Sequence, residues 1–503
     1  LKSEKRVGSL SDDTKNEEDT GRQSFVFVFT AIFIPMFMAI MDQTVVAASL
    51  PNIAADLGKA HSISWVVTSY LVAMTIAAPV YGRLGDLFGR KTFMIASMGI
   101  FVTASLTCSL AQSMEMLIFT RLLQGLGGGG LITLSQALIG EVIAPRQRAR
   151  FQGYLATISV TANALGPVAG GYITEHLGWR AIFLVNLPLG LAALLFVLRL
   201  KALPGIREKR PFDLMGLAYL SIFVTATLLN FSQAQRVAQG EAWQFAIWGS
   251  VSLLALMLLI RHERRIQYPL LPVKLLRQAV IWRSDALAAC HGATLVALVT
   301  FVPIYLRAVR DVAVAEIGLL LLPLSMGVGI GSMMTGRAVT KTGRTAIFPS
   351  IGLIAASALI LIFAFRAQAW TLIELSWLLG LVAVCLGTTM GVVQVTVQSS
   401  AHPRVLGAAA ASVQLSRSIG AALGTGIASM VFFSLLATIG SGFSSSFSDL
   451  LQQGSAALQS LTADERIYVE AGINRAFVAS FAVIAGFAAL GSALAWSIPL
   501  RRL

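Results

Sequence analysis

The apolar residues of this chain are not spread at amphipathic spacing. They fall in long blocks of about twenty, as at 25–47, 181–200 and 477–499. A block of that length, coiled as a helix, crosses a hydrocarbon layer of about 30 Å. In lipid no water satisfies the backbone, so such blocks must be helices and a polar open chain is excluded. The rest of the composition agrees: 56% of the 503 residues are hydrophobic and 12% are charged, against about a quarter charged in an ordinary soluble domain.

Fourteen spans can be read, at 25–49, 62–82, 92–112, 115–139, 151–174, 180–200, 213–232, 244–260, 284–306, 314–336, 346–366, 372–396, 408–436 and 474–499. The net charge of +14 is held in short basic clusters between spans. Examples are Arg83, Arg90 and Lys91; Arg146, Arg148 and Arg150; Lys201, Arg207, Lys209 and Arg210; and Arg261, Arg264 and Arg265. With the N-terminus inside, these clusters fall on the cytoplasmic side, as the positive-inside bias requires. The even count then places both termini in the cytoplasm of a multi-pass protein of the cell (inner) membrane. No basic face carries interleaved aromatics, so nucleic acid is not an expected partner. Cys108, Cys290 and Cys385 lie inside apolar blocks without metal-ligand spacing and read as small buried hydrophobes. No metal and no cofactor is expected. Residues 1–24 are polar and mixed in charge, and read as a disordered cytoplasmic tail.

The loop after span two, Gly82-Arg-Leu-Gly-Asp-Leu-Phe-Gly-Arg-Lys91, recurs after span ten as Gly336-Arg-Ala-Val-Thr-Lys-Thr-Gly-Arg-Thr345. Internal duplication is a mark of transporter architecture. A six-plus-six duplication puts the copies six spans apart, whereas these are eight apart. Two helices are therefore expected to be inserted between the halves. The predicted organisation is a six-helix bundle over 25–200, a linker with the two inserted helices over 201–283, and a second six-helix bundle over 284–503 carrying a long exterior segment at 437–473. Chance Gly-Arg turns in cytoplasmic loops are the competing reading of this short match.

Several further motifs carry a family resemblance. They are Met41-Asp-Gln-Thr-Val-Val-Ala-Ala-Ser-Leu-Pro51 in span one, the 82–91 loop, Arg121-Leu-Leu-Gln-Gly-Leu-Gly-Gly-Gly-Gly130 in span four, Ala164-Leu-Gly-Pro-Val-Ala-Gly-Gly171 in span five, and Trp179-Arg-Ala-Ile-Phe-Leu-Val-Asn-Leu-Pro188 entering span six. In this order and on these spans they resemble the major facilitator superfamily, specifically its fourteen-helix drug:proton antiporter branch, over nearly all of residues 25–435. The resemblance implies an all-α major facilitator fold of two six-helix bundles plus two inserted helices. It implies export of lipophilic small molecules against protons by alternating access. One departure is Thr340, which stands where the second loop copy often has Asp.

Candidate site residues follow from the resemblance and from position. Asp42 lies about 26 Å from the inner end of span one, and Arg121 about 9 Å below the outer face on span four. Ionisable residues at such depth are expensive and are paired or functional. The pair is expected to carry proton coupling, with a static pair as the competing reading. Gly82, Asp86, Gly89 and Arg90 are expected to gate the cytoplasmic side; the resemblance gives Asp86 the role of latching the halves, with Arg146, Arg148 and Arg150 as candidate partners. Gly166, Pro167, Gly170 and Gly171 are expected to seal one side of the path, or simply to pack closely. Thr44, Gln124, Asn163, Gln394, Gln414 and Arg417 are candidates for the substrate pathway. His291 and Asp285 belong to no motif. An enzyme or receptor is the remote alternative, since the chain holds no catalytic cluster and no nucleotide-binding Gly-x4-Gly-Lys-Ser/Thr run. A carrier of a defined metabolite or siderophore in the same fold is the nearer one. The bilayer, protons and the transported compound are the expected partners, with a periplasmic adaptor left open.

Overall fold

The structure, a computed structural model, describes residues 4–58, 62–143, 145–200, 212–232, 242–271, 273–438, 463–500 and 502. Among the described residues, fourteen long helices follow one another: α1 Glu4–Leu57, α2 Ser64–Phe88, α3 Arg90–Ser109, α4 Met114–Val142, α5 Pro145–Leu177, α6 Ala181–Arg199, α7 Leu214–Ser232, α8 Ala242–Glu263, α9 Ala279–Ala308, α10 Glu316–Thr342, α11 Ile347–Arg366, α12 Leu372–Ser400, α13 Leu406–Ala437 and α14 Ala463–Ser497. Short breaks at Val185 and Leu321 interrupt α6 and α10. No strand occurs among the described residues.

Thirteen of these helices are long and apolar enough to cross a membrane. The fourteenth, α5, is amply long at 33 residues but too polar to be recognised by composition. Its Gly, Thr and Asn content is what a helix wedged between other helices tolerates and a lipid-facing helix does not.

The helices run past the ends of their apolar blocks, which changes several boundaries. The Gly82–Lys91 segment, expected as a loop, is helical to Phe88 and breaks only at Gly89, whose φ of 102° is open to glycine. Its copy ends at Gly343, left-handed at φ 68°. The polar segment read as a disordered tail continues α1 back to Glu4, because extending a helix already nucleated by a span costs far less than starting one. Helix α14 begins at Ala463, ahead of the expected 474. The basic linker 201–211 and most of the exterior segment, including the surface helix expected at 448–461, lie outside the described residues.

Packing reveals the duplication more fully than the loop motif does. Helix α1 packs on α4, α5 and α6, and α9 packs on α12, α13 and α14. Helices α2 and α3 pack on α4 as α10 and α11 pack on α12. The contacts between bundles exchange in the same way: α5 lies on α10, and α13 lies on α2. Each helix thus has its counterpart eight helices later. Helix α7 rests on α13 and α2, while α8 packs chiefly on α7 and leaves most of its surface open. These are the two inserted helices.

Small residues set the spacing inside the first bundle. On α4 a Cβ at Gly127 would stand 2.6 Å from the Phe101 backbone nitrogen of α3, and one at Gly130 2.5 Å from the Ser97 side chain. The glycine run therefore serves helix contact, since without a hydrophobic drive between helices in lipid the close approach itself supplies the attraction.

Candidate functional site

Asp42 of α1 and Arg121 of α4 form an ion pair, 4% and 1% exposed. The Arg121 Nη1 donates to Asp42 Oδ2 and, at 2.7 Å, to Gln124 Oε1. Two amides complete the carboxylate: Gln124 Nε2 and Asn186 Nδ2 each donate to Asp42 Oδ1 at 2.9 Å. Both amides also donate to Ser105 Oγ of α3, at 2.7 and 3.2 Å. The guanidinium donates through Nε to the Val66 carbonyl at 3.3 Å and lies 4.2 Å from the centre of the Tyr70 ring. The pair is thus held by α1, α2, α3, α4 and α6 together.

Such closure is needed, because a buried charge pair offsets its desolvation only when the remaining donors and lone pairs are satisfied. Chemically the arrangement can do one thing well. If a proton neutralises Asp42, Arg121 keeps Gln124 Oε1, the Val66 carbonyl and the Tyr70 face as partners, so the cation is not stranded.

The second cluster lies at the basic end of the bundles, where the 82–91 segment sits. Asp86 accepts from the backbone N–H groups of Gly407 at 2.8 Å and Ala408 at 3.0 Å, the first turn of α13. A carboxylate there meets unpaired donors and the positive end of the helix dipole. Arg90 braces it from the other side: Nη2 reaches Asp86 at 2.7 Å and the Pro403 carbonyl at 3.2 Å, while Nη1 reaches Glu141 at 2.5 Å. Gly82 makes the contact possible, since a Cβ there would stand 2.5 Å from the Gly407 carbonyl oxygen. Gly82, Asp86, Gly89 and Arg90 are therefore one unit. Its expected arginine partners are not. Arg148 donates to the carbonyls of Gly140 and Ile143 at 2.6 and 2.8 Å, closing the end of α4, and Arg150 donates to Tyr154 Oη at 2.8 Å. The Arg146 side chain lies outside the described residues.

On α5, Gly166 faces the Thr44 side chain and Gly170 approaches the Val45 carbonyl, where a Cβ would be 2.7 Å away. Gly171 has open space around it and makes no such contact. Pro167 leaves the helix unbroken, although its missing N–H leaves the Asn163 carbonyl without the usual partner; Asn163 itself is exposed. Thr44 donates to the Met41 and Ala162 carbonyls at 2.9 and 3.2 Å. It thereby joins α1 to α5, and Gln124 belongs to the ion pair. Neither is a free pathway group.

The second bundle is arranged differently. Gln394 and Gln414 are buried with their amide nitrogens unbonded, and Arg417 is half-buried with Nε unbonded. His291 is 2% exposed and neither ring nitrogen makes a hydrogen bond of normal geometry. Asp285 accepts from Ser412 Oγ at 3.2 Å. Gln398 crosses between bundles to the Gln136 carbonyl at 2.8 Å, and Gln136 Oε1 accepts from Gln152 at 2.7 Å. Glu374 forms a capping box with Thr371 at the start of α12. Among the described residues, no group of three or more His, Cys, Asp or Glu side chains comes together as a metal site.

Sequence reading missed Asn186, Ser105, Tyr70 and Glu141. Asn186 was within reach, standing in the motif that enters span six. Glu141 carried a signal as a carboxylate at the end of an apolar span. Ser105 and Tyr70 carry none, being ordinary residues of apolar helices until the fold turns them toward Arg121.

Comparison with known proteins agrees with this architecture. The family description "Major Facilitator Superfamily" matches residues 32–425. The chain is 29% identical over 407 residues to the multidrug transporter protein MdtP of Bacillus subtilis, covering 80% of this chain and 75% of that one. It is 33% identical over 421 residues to an uncharacterized MFS-type transporter of Mycobacterium tuberculosis, covering 81% of this chain and 60% of that one. Among solved structures, the human organic anion transporter MFSD10 superposes with a TM-score of 0.64 at 16% identity, over 93% of this chain and 99% of that chain. The proton:xylose symporter XylE gives 0.61 at 15%, over 95% and 98%. At such identity these two speak for the fold alone. The chain belongs to the Major Facilitator Superfamily: it is a multi-pass membrane transporter and not an enzyme.

Proposed function

We propose that this transporter exports lipophilic compounds, drugs among them, in exchange for protons. The observation that carries the reading is the Asp42–Arg121 pair, closed by Gln124 and Asn186 and buried in the membrane part of the first bundle. A charge pair at that depth is expensive and is functional by default. Asp42 is the proton carrier, Arg121 the group that senses its charge, and Gln124 with Asn186 the donors that a protonated Asp42 would release.

The rest of the cycle follows from the basic end, which we read as cytoplasmic from its arginines and lysines. There Asp86 on the start of α13, Gly82 against Gly407 and Gln398 on Gln136 join the bundles. Bundles joined at that end correspond to the outward-facing state. Proton arrival from outside would neutralise Asp42, loosen the first bundle and let the Asp86 contact open. The relative named as a multidrug transporter supports drugs as the substrate class. The 503 residues contain no nucleotide-binding loop of the Gly-x4-Gly-Lys-Ser/Thr type, which favours the ion gradient as energy source.

The test is transport of a dye panel into inverted vesicles. Accumulation is expected under an imposed pH gradient and should collapse with a protonophore. Accumulation that survives the protonophore and disappears on ATP depletion would overturn the reading.

A further inference from the structure

We propose that the second bundle holds an anion site, built by Arg417, His291, Gln414 and Thr389, and that the preferred substrates are amphipathic acids: a carboxylate or sulfonate on an apolar body. This deepens the export reading above and rests on it.

Depth comes first. Counted from the basic end, Arg417 is eleven residues into α13 and Thr389 eleven into α12, about 17 Å each. His291 is twelve residues into α9, about 18 Å. All three lie near the middle of a layer about 30 Å thick. Gln414 precedes Arg417 by three positions, on the same helix face.

They also converge. Gly292 of α9 packs on Arg417, where a Cβ would stand 2.3 Å from the Arg417 carbonyl oxygen and 3.2 Å from its Cγ. The absent side chain makes the room. His291 is next in sequence to Gly292 and 2% exposed. Thr389 lies on α12 at the same depth, and α9 packs on both α12 and α13.

The chemistry is one-sided. Arg417 has no ion pair and no hydrogen bond among the described residues. Thr389 Oγ1, the Gln414 amide nitrogen and both His291 nitrogens are buried without partners, the histidine and threonine being 2% and 0% exposed. Asp285 lies six residues nearer the basic end on α9 and is taken by Ser412. Asp42 and Asp86 are bound elsewhere.

An unmatched guanidinium with several idle donors costs free energy in lipid, and an incoming acid group offsets that cost. A cation would meet repulsion and no acceptor strong enough to replace its water. Site depth argues against an anionic lipid headgroup, which lies at the interface rather than mid-layer.

The experiment uses the full-length transporter in phosphatidylcholine nanodiscs and three probes with one fluorophore: dansylglycine (anion), dansylamide (neutral) and dansylcadaverine (cation). Dansylglycine should bind about tenfold or more tighter than dansylcadaverine, the usual worth of a charged hydrogen bond. Arg417→Gln should remove that preference while leaving dansylamide within about twofold, which also reports that the variant is folded. Arg417→Lys should retain part of it, keeping the charge and losing the planar fork.

Preference for the cation, or dansylglycine binding unchanged in Arg417→Gln, overturns the anion site. Competition by added phosphatidylglycerol would assign the acid head to lipid and overturn it too. If dansylamide uptake into inverted vesicles collapses with a protonophore while the charge order is reversed, export stands and the anion site falls. If none of the three binds, both fall.

Discussion

The two six-helix bundles share one pattern of helix packing and differ in what they bury. In the first, each strong charge is answered: Asp42 by Arg121, Gln124 and Asn186, and Asp86 by Arg90 and the start of α13. In the second, Arg417, His291, Gln414 and Gln394 keep unbonded polar atoms within the membrane-spanning helices. The loop copies differ in the same sense. Asp86 spans the gap to the other bundle, whereas Thr340 turns back to its own Gly336 carbonyl at 2.8 Å. The lesson is that duplication conserves the scaffold, set by small residues at helix contacts, while charge is free to diverge. On the function proposed above, the first bundle is the switch. The second bundle keeps its polar groups unpaired among the described residues.

The largest difference is expected on neutralising one charge in each bundle. Asp42→Asn removes the counter-ion of Arg121, which keeps Gln124 Oε1, the Val66 carbonyl and the Tyr70 face, so the loss should fall below the about 3–5 kcal/mol of a fully stranded buried charge. A lower melting temperature and loss of gradient-driven export should result, with substrate exchange in the absence of a gradient retained. Arg417→Gln removes a charge that has no partner among the described residues, so the melting temperature should hold or rise. Equal melting temperatures for the two variants would erase the contrast, and full pH-driven export by Asp42→Asn would make Asp42 structural.

A middle-sized effect is expected at the latch. Asp86→Asn weakens a charged cap on α13 that is worth about 1–2 kcal/mol. The bundles should then part more often at the basic end. Maleimide labelling of Ser332→Cys, in a background lacking Cys108, Cys290 and Cys385, should become several-fold faster. Unchanged labelling would mean that the glycine contacts alone hold that end shut.

The smallest effect is expected where the comparison invites a repair. Gly336 sits on Ala149 of α5 as Gly82 sits on Gly407 of α13. Yet α13 begins at Leu406, beside the contact, while α5 begins at Pro145, a turn earlier. The free N–H groups that Asp86 uses have no equivalent opposite residue 340. Thr340→Asp should therefore change the same labelling by less than about threefold. A much slower rate would reveal a second latch, and with it a symmetry between the bundles that the helix starts argue against.

The sequence by itself determined that the chain spans a membrane, how many times, and that its halves are related eight helices apart, because the length of apolar blocks and the spacing of the loop copies are linear properties. It also singled out Asp42, Arg121 and Asp86, since a charge within or beside an apolar block is visible without any structure. Helix α5 was read as a span at 151–174 although it is the most polar of them, and its Gly-Pro and Gly-Gly pairs marked it as a helix packed against others. Only the tertiary structure decided partners. Gln124 could equally have lined a pathway, Arg148 could have met Asp86, and Asn186, Ser105 and Tyr70 had no mark at all. A helix presents a different residue every 100° or so, and which neighbour it meets depends on rotations and depths set by many small packing contacts at once. For the same reason Gly292 reads as one more glycine in an apolar helix until Arg417 is found packed on it.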